Sequence, residues 1–394
     1  MAGTPKSNRP HIAILGRRNV GKSSLINAIT SQNLSIVSDT PGTTTDPVEK
    51  AMELIPFGPV VFIDTAGLDD DGELGRLRTK RSREVLQKTD IAIVVVAGAV
   101  GATERGLMEK LDAREIPFLL VFNKSDAESF SVKNCREWQG VPVSAKTGRG
   151  VDELNTRLLD MLKGWAKTAP LSLMAGLIPS GGLVVLVVPI DTEAPAGRLI
   201  LPQVQVIRDI LDTDALCMVM KERELRHGLQ LLGRKPDIVI TDSQAFLKVA
   251  GDVPDEVPMT SFSILFARQK GDLIQLAAGA RAIDRLQDGD TVLISEACTH
   301  HTVGDDIGTV KIPRLLRQFT GKNLHFVHAR GKYFEMEDDV ALVIHCGGCM
   351  LTRRAMVSRI DMSRGQQVPM TNYGMAIAFT LGIFERALRP FGLN

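Results

Sequence analysis

An α/β fold in three parts is what the sequence predicts, and three observations carry that expectation. Short apolar runs alternate with stretches of helical periodicity, the pattern of parallel sheets covered by helices. A glycine-rich loop stands between the first such strand and the first such helix, a placement that binds phosphate. At 394 residues the chain is too long for one ordinary domain of roughly 100–200 residues.

The strand HIAIL is followed by GRRNVGKSS and then by a helix reading SLINAIT. Gly16, Arg17, Arg18, Asn19, Val20, Gly21, Lys22 and Ser23 thus fit G-x-x-x-x-G-K-[ST], with Ser24 directly after, in the order strand, loop, helix. The glycines let backbone N–H groups close around phosphate oxygens, Lys22 reaches the β and γ phosphates, and the Ser23 hydroxyl ligates magnesium. VVFIDTAG is an apolar strand ending in Asp64-Thr65-Ala66-Gly67, where the carboxylate can hold magnesium through water and the Gly67 N–H can sense the γ-phosphate. FLLVFNKSD ends in Asn123-Lys124-Ser125-Asp126, and VPVSAK ends in Ser144, Ala145 and Lys146.

These four stretches, in this order and spacing, resemble the G-motifs of the translation-factor-like GTPases. In that family the Asp of N-K-x-D, here Asp126, accepts two hydrogen bonds from guanine, so the resemblance implies GTP rather than ATP. SDTPGTTTD resembles the first switch of the Era, EngA and TrmE-like branch, with Thr44, between Thr43 and Thr45, in the place of its magnesium-binding threonine. The resemblance implies Lys22, Thr44, Asp64 and Gly67 as the catalytic set. Where many GTPases put a water-orienting Gln after D-x-x-G, this chain has Leu68, which has no hydrogen-bonding side chain, so hydrolysis is expected to be slow or organised by another group. The branch includes potassium-activated members marked by an Asn in the phosphate loop. Asn19 holds that place, although Asn is also a plain turn residue, and potassium-stimulated hydrolysis is the expectation.

With 44% hydrophobic residues, 24% charged residues and a formal net charge of +1, the composition exerts no bulk pull toward nucleic acid or anionic lipid. The longest apolar run, GLVVLVVPI, falls far short of the roughly 20 residues of a membrane-spanning helix. MAGTPKSNRP has no apolar signal core, so a cytoplasmic protein is expected. Five cysteines in so long a chain are no disulfide framework; clustered, they point to metal or redox chemistry. Cys135 and Cys217 stand alone and read as small packed hydrophobes.

VDELNTRLLDMLKGWAK places Val151, Leu154, Leu158, Met161 and Leu162 at helical spacing and closes the first domain, residues 1–168. TAPLSLMAGLIPSGG reads as a linker. A middle region, 169–271, is expected to hold the strand LVVLVVPI, a long helix from about Gln203 to Leu232 and the strand DIVITD. It shows no catalytic constellation; His227 belongs to a solvated face, and the apolar surface suits self-association. From Asp272 to the end, a helix AAGARAIDRL, strands DTVLISEA, LHFVHA and VALVI, a helix VKIPRLLRQFTG and two C-terminal helices predict a parallel sheet. Functional groups of such sheets gather beyond the carboxyl ends of the strands. ACTHH follows one strand and HCGGC another, so Cys298, Cys346 and Cys349 are expected to converge.

Three thiolates admit several readings. One is a structural zinc site with His300 or His345 as fourth ligand. Another is a thioredoxin-like dithiol at Cys346 and Cys349, which leaves Cys298 and His300 without a role. The third is an iron–sulfur cluster with three cysteine ligands and one iron left to a weaker ligand. Cys298-x-His300 followed by His345-Cys346-x-x-Cys349 resembles the C-x-H…H-C-x-x-C signature of the FeFe-hydrogenase maturation GTPases, the HydF family, whose members also begin with a TrmE-like GTPase domain.

That resemblance implies a P-loop GTPase domain, a middle dimerisation domain (169–271) and a C-terminal α/β iron–sulfur cluster domain (272–394). It implies a 4Fe-4S cluster on Cys298, Cys346 and Cys349, with His300, His345, Asp305 and Asp306 as candidates for an exchangeable fourth ligand. Each histidine is equally a candidate hydrogen-bond partner of a ligand. GTP, Mg2+ and K+ are the other implied cofactors, with Ser23 and Thr44 on magnesium and Asn19 on potassium. The implied role is a homodimeric scaffold and carrier for the di-iron precursor of the hydrogenase. Its implied partners are the two radical-enzyme maturases and the hydrogenase apoprotein, with neither membrane nor nucleic acid. His301 reads as a bystander, and His325 and His328 as packing residues in a strand. The alternative from another class is a ribosome-assembly or RNA-modification GTPase with a structural zinc; a redox enzyme using the dithiol is a third. Iron and sulfide content separates the first reading from the others.

Overall fold

The computed structural model of the chain describes residues 5–33, 48–65, 84–128, 130–167, 172–189, 199–297, 306–331, 334, 336 and 339–393. The chain divides into two compact units, Met1–Ala169 and Pro170–Asn394.

The first unit is a six-stranded sheet in the order β2-β3-β1-β4-β5-β6. Its strands are β1 (His11–Leu15), β2 (Val48–Leu54), β3 (Gly58–Asp64), β4 (Ile91–Val96), β5 (Phe118–Phe122) and β6 (Val141–Pro142). β2 runs antiparallel to β3; the other pairs are parallel. Every residue of β1 and β4 is buried, which is why both read as unbroken apolar runs rather than alternating ones. Helices cover both faces. α1 (Lys22–Asn33) and α5 (Val151–Lys167) pack Leu25, Ile26, Ile29, Leu154, Leu158 and Leu162 into one core. The helical residues 84–88 (α2) and α3 (Ala102–Asp112) place Val85, Leu86, Leu107 and Leu111 in the other. A short helix, α4 (Val132–Glu137), precedes β6. Asp152 and Glu153 occupy the first turn of α5, where negative charge favours the helix start.

His11 opens β1 and is buried, its Nδ1 2.9 Å from the Arg9 carbonyl and its backbone N–H donating to Asp90 Oδ2 at 2.8 Å. Burial outweighs these contacts and lowers its pKa below the usual 6.5. The unfolded chain therefore takes up the proton first as pH falls, and stability declines below about pH 6.5 toward the folded-state value. We expect the denaturant midpoint of the first unit to drop between about pH 7 and 5.5, and His11→Gln to flatten that drop. An identical pH dependence in parent and variant counts against this role.

The second unit holds two four-stranded, wholly parallel sheets. The first, ordered β10-β9-β7-β8, comprises β7 (Leu183–Val187), β8 (Leu216–Met220), β9 (Ile238–Thr241) and β10 (Met259–Ser261). Its helices are α6 (Leu201–Asp212), α7 (Leu225–Leu231), α8 (Phe246–Asp252) and α9 (Phe262–Lys270). The single long helix expected over 203–232 is thus broken by a strand. Thr213 caps α6, Asp214 takes a left-handed φ of 54°, and LCMVM pairs alongside β7. An apolar run of that length does not by itself distinguish strand from helix.

The second sheet, ordered β12-β11-β13-β14, comprises β11 (Thr291–Glu296), β12 (His325–Arg330), β13 (Val340–His345) and β14 (Met370–Asn372). Around it lie α10 (Leu273–Arg281), a π-helical turn Ile307–Lys311 running into α11 (Ile312–Thr320), α12 (Arg353–Gly365), α13 (Tyr373–Thr380) and α14 (Phe384–Leu388). The short strand β14 and a third C-terminal helix are additions to the expected elements. His325 and His328 do lie in a strand, but β12 is an edge and both are exposed. His227, on α7, is solvent-exposed.

The two sheets share one apolar core that runs from Val185 and Val239 through Ile264 and Ala267 to Leu293, Val343 and Met375. α9 is apolar on two sides: Phe262, Leu265 and Phe266 belong to a core against β7 and β9, while Ile264 and Ala267 belong to the shared one. α13 reads YGMAIAFT, apolar all round, as a helix enclosed by protein does. The segments 169–271 and 272–394 therefore meet in one continuous interior.

Candidate functional site

β1 delivers the phosphate loop and α1 leaves it. Gly16 has φ +143°, and a Cβ there would stand 2.3 Å from the Val95 carbonyl oxygen, so glycine is required. Asn19 takes φ +61°, a left-handed conformation that Asn tolerates. Lys22 is buried and donates to the carbonyls of Gly16 (2.8 Å) and Arg17 (2.7 Å), curling back onto the loop. The Ser23 hydroxyl donates to Asp64 Oδ2 at 2.8 Å, bringing together the two residues expected at magnesium.

On the base side, Asn123 bridges two loops: Nδ2 donates to the Val20 carbonyl at 2.8 Å and Oδ1 accepts from the Ala145 N–H at 3.0 Å. Asp126 is exposed, and a hydrogen bond from Ser144 holds its carboxyl below the usual carboxylate range. Ser144 is buried, whereas Lys124 and Lys146 are exposed. Arg17 pairs with Glu104, a buried carboxylate of α3 that also accepts the Gly101 N–H at 2.9 Å. A lone Glu in a helix gave no sign of this clamp. Thr44, Gly67 and Leu68 lie outside the described residues.

The second constellation forms where β11 and β13 end side by side, with Ser295 in register with His345. The Cys346 N–H donates to the Ser295 carbonyl at 2.8 Å, and the Ala297 N–H donates to Cys346 Sγ at 3.3 Å. Cys346 therefore touches the residue that precedes Cys298 in sequence. Burial raises the Cys349 thiol, and the neighbouring Cys346 raises it further. Cys298, His300 and Asp305 lie outside the described residues, as does His301. Among the described residues no three His, Cys, Asp or Glu side chains are grouped to hold a metal.

His345 is buried, with Nε2 2.7 Å from Arg359 Nη1 and Nδ1 2.6 Å from the Cys346 carbonyl oxygen. A guanidinium only donates, so Nε2 accepts and Nδ1–H donates; both ring nitrogens are engaged. Asp306 is engaged too. Its Oδ1 accepts from the Gly308 N–H at 3.1 Å, and its Oδ2 from Thr309 Oγ1 at 2.9 Å and from Arg330 at 3.2 Å. It caps the turn that starts α11. Glu296, at the end of β11, accepts from the Tyr373 hydroxyl at 3.0 Å and pairs with Arg330; burial, then Glu296, pushes the Tyr373 phenol up.

Two buried cations serve the cysteine loop. Lys270, the last residue of α9, donates to the carbonyls of Cys349 (2.7 Å) and Leu351 (3.0 Å). Arg359, on α12, lies over the Phe334 ring. Burial lowers Lys270 to about 8, opposed by Cys349, and Arg359 to about 10, opposed by Cys346.

The donor set suits an anionic metal–thiolate group. Soft thiolates select zinc or iron–sulfur clusters. The Ser263 hydroxyl has no hydrogen-bond partner among the described residues and lies 3.5 Å from where a Cβ of Gly347 would stand. Gly348 has φ +63°, which bends the loop so that its two cysteines stay close.

The profile of the Hydrogen maturase F tetramerization domain matches residues 274–390, that of the Hydrogen maturase F dimerization domain residues 173–271, and that of the 50S ribosome-binding GTPase residues 11–124. The two maturase profiles together span more than half of the chain. The tRNA modification GTPase MnmE of Synechococcus sp. (strain JA-3-3Ab) is 40% identical over 151 residues, 37% of this chain and 32% of that protein. GTPase Der of Wolinella succinogenes is 33% identical over 181 residues, 41% of this chain and 38% of that protein. The chain spans less than half the length of the curated relatives it matches. Among solved structures, the G domain of the T. maritima FeoB iron transporter covers 39% of this chain and 98% of its own, at 24% identity and a TM-score of 0.29. Era of Aquifex aeolicus covers 57% of this chain and 99% of its own, at 18% identity and a TM-score of 0.32.

Proposed function

Because the chain belongs to the hydrogen maturase F family, with a GTPase domain ahead of the two maturase domains, we propose that it is a GTP-hydrolysing scaffold for the di-iron precursor of FeFe-hydrogenase. Cys298, Cys346 and Cys349 would hold a 4Fe-4S cluster, which supplies an iron whose remaining position takes an exchangeable ligand. The observation that supports this is the Ala297 N–H on Cys346 Sγ at 3.3 Å, which ties the end of one strand to the cysteine loop of the next. His345 and Asp306 are engaged in hydrogen bonds, so the fourth position falls to His300, Asp305 or an incoming group. The Arg359–His345–Cys346 chain orients the loop, and the Asp306–Arg330–Glu296–Tyr373 chain braces the end of β11.

Anaerobic reconstitution with iron and sulfide tests the reading. Four irons per chain and an EPR signal of the reduced protein that shifts on adding imidazole support an exchangeable iron. Stoichiometric zinc without iron overturns it in favour of a GTPase with a structural metal.

In the first unit, Lys22 would hold the β and γ phosphates and Ser23, Thr44 and Asp64 the magnesium, with Asn19 on a potassium ion. GTP hydrolysis is expected to run several-fold faster in potassium than in sodium buffer, and Asn19→Ala to abolish the difference. Equal parental rates in the two salts would remove Asn19 from that role.

The edge strand β8 supports self-association. Leu216, Met218 and Val219 are 59%, 41% and 44% exposed, an apolar edge that a lone chain in water normally blunts with charge. Met218→Lys combined with Val219→Lys should weaken association by roughly a hundredfold, read by sedimentation. An unchanged dimer places the interface elsewhere. The radical-enzyme maturases and the hydrogenase apoprotein are the proposed partners. Among the described residues no helix is long and apolar enough to cross a membrane.

A further inference from the structure

The Cys346–Cys349 loop is gripped by cations from two helices distant in sequence. Lys270 is 2% exposed and sends its ammonium to two carbonyls of the loop, those of Cys349 and Leu351. Arg359 is 3% exposed and reaches the loop through His345, whose other nitrogen donates to the Cys346 carbonyl. One cation thus serves each cysteine. α9 also brings the Ser263 hydroxyl, which has no hydrogen-bond partner among the described residues, to 3.5 Å from where a Cβ of Gly347 would stand.

Neutral donors can also hold such carbonyls, as His345 does that of Cys346, more weakly but at a smaller cost of burial, since taking a cation out of water is expensive. A charge adds something when the neighbouring site itself becomes negative. Two thiolates, and a metal–sulfur group bound through them, do so, and interaction with a fixed cation a few ångströms away is strong where water is excluded.

We infer that Lys270 and Arg359 are positioning residues that fix the cysteine loop and supply the positive field that stabilises the more reduced, more negative state of the group bound there. The inference rests on the cluster reading above. The two cations should therefore raise the reduction potential of the bound cluster and slow the loss of its iron.

Lys270→Gln keeps two N–H donors for the two carbonyls and removes the charge; Lys270→Arg keeps the charge. Each is reconstituted beside the parent, and iron content, reduction midpoint and the rate of iron loss to a chelator are measured. At the poise where the parent is half reduced, Lys270→Gln should show a ratio of reduced to oxidised cluster roughly tenfold lower, which is 59 mV for one electron. It should also lose iron several-fold faster, while Lys270→Arg stays near the parent. Arg359→Lys, keeping charge but not the fork to His345, should hold its midpoint yet lose iron faster.

If the parent takes up four irons and Lys270→Gln matches it in midpoint and iron loss, the inference is overturned and the cluster reading stands. If Lys270→Gln and Lys270→Arg are displaced alike, packing rather than charge is responsible, and the inference again fails. A parent that binds no iron overturns the cluster reading, and the inference with it. Should Lys270→Gln not fold, Arg359→Gln, which keeps an N–H donor for His345 without the charge, is compared with Arg359→Lys in the same way: a midpoint lowered in Arg359→Gln alone supports the inference, and equal midpoints overturn it.

Discussion

Cys346→Ala and Cys346→Ser should each lose the iron and sulfide that the proposed cluster reading assigns to the parent, while hydrolysing GTP at the parental rate. A cluster held by three thiolates has no spare ligand, and the described residues around Cys346 offer none to replace it: His345 and Asp306 are committed to Arg359, the Cys346 carbonyl, Gly308, Thr309 and Arg330. Serine is the informative variant. Its hydroxyl can still accept the Ala297 N–H that Cys346 Sγ accepts, so the strand ends stay joined, while a neutral hydroxyl is a poor ligand for iron. Alanine leaves that N–H unpaired at a cost of about 1–3 kcal/mol, so it should unfold earlier than serine. Iron per chain should fall by at least roughly tenfold in both. Lys22, Ser23 and Asp64 belong to the other compact unit, with cores of its own, which is why hydrolysis is spared. Full iron content in Cys346→Ser would exclude this cysteine as a ligand; a collapse of hydrolysis together with iron would show that the nucleotide site depends on the cluster.

What could be read in the sequence divides along the range of the forces involved. The phosphate loop was legible because its chemistry is contiguous: Gly16 to Ser23 build the cradle from neighbouring backbone, and β1 and α1 announce themselves by local pattern. The convergence of β11 and β13 was legible one step further, from the rule that groups gather at the carboxyl ends of parallel strands. The roles inside the motif were not. His345 stands beside a cysteine and reads as a ligand candidate, and its engagement is visible only once Arg359, fourteen residues on in a helix, is packed against it. Lys270 lies 79 residues before the carbonyl it holds, and nothing local separates it from a solvated lysine at a helix end. Glu104 clamps Arg17 across 87 residues and is equally silent. β8 failed for another reason: helix and edge strand share the same short apolar composition, and only pairing with β7 decides between them. The tertiary contacts also explain why two segments with separate patterns fold around one interior, since α9 and α13 each present apolar side chains to more than one neighbour.

Asp126→Asn should exchange GTP for XTP. Asp126 lies in the exposed loop after β5, and the Ser144 hydrogen bond keeps its carboxyl ionised well below neutral pH; an ionised carboxylate only accepts. Guanine offers it two donors, N1–H and the 2-amino group. Adenine would turn a lone pair toward it, so a carboxylate in this role would select against ATP. Asparagine presents one acceptor and one donor. Its amide N–H2 then faces the 2-amino group of guanine, donor against donor, whereas the 2-oxo group of xanthine accepts it and N1–H still finds the amide oxygen. A site built for a donor pair discriminates strongly against a partner that mismatches one member, because a desolvated group is left unpaired. GTP affinity should therefore fall by roughly a thousandfold and XTP affinity rise by a comparable factor, read as Kd values of fluorescent nucleotide analogues in magnesium and potassium buffer. Asp126 is exposed, so the unfolding midpoint should not move, which separates base recognition from folding. Asn123 provides the contrast. It is buried and spans the Val20 carbonyl and the Ala145 N–H, so Asn123→Ala should weaken GTP and XTP alike by loosening both loops. A variant at position 126 that keeps GTP within about threefold of the parent and gains no XTP would mean that the base is read elsewhere, and that residues 123–126 do not set nucleotide choice.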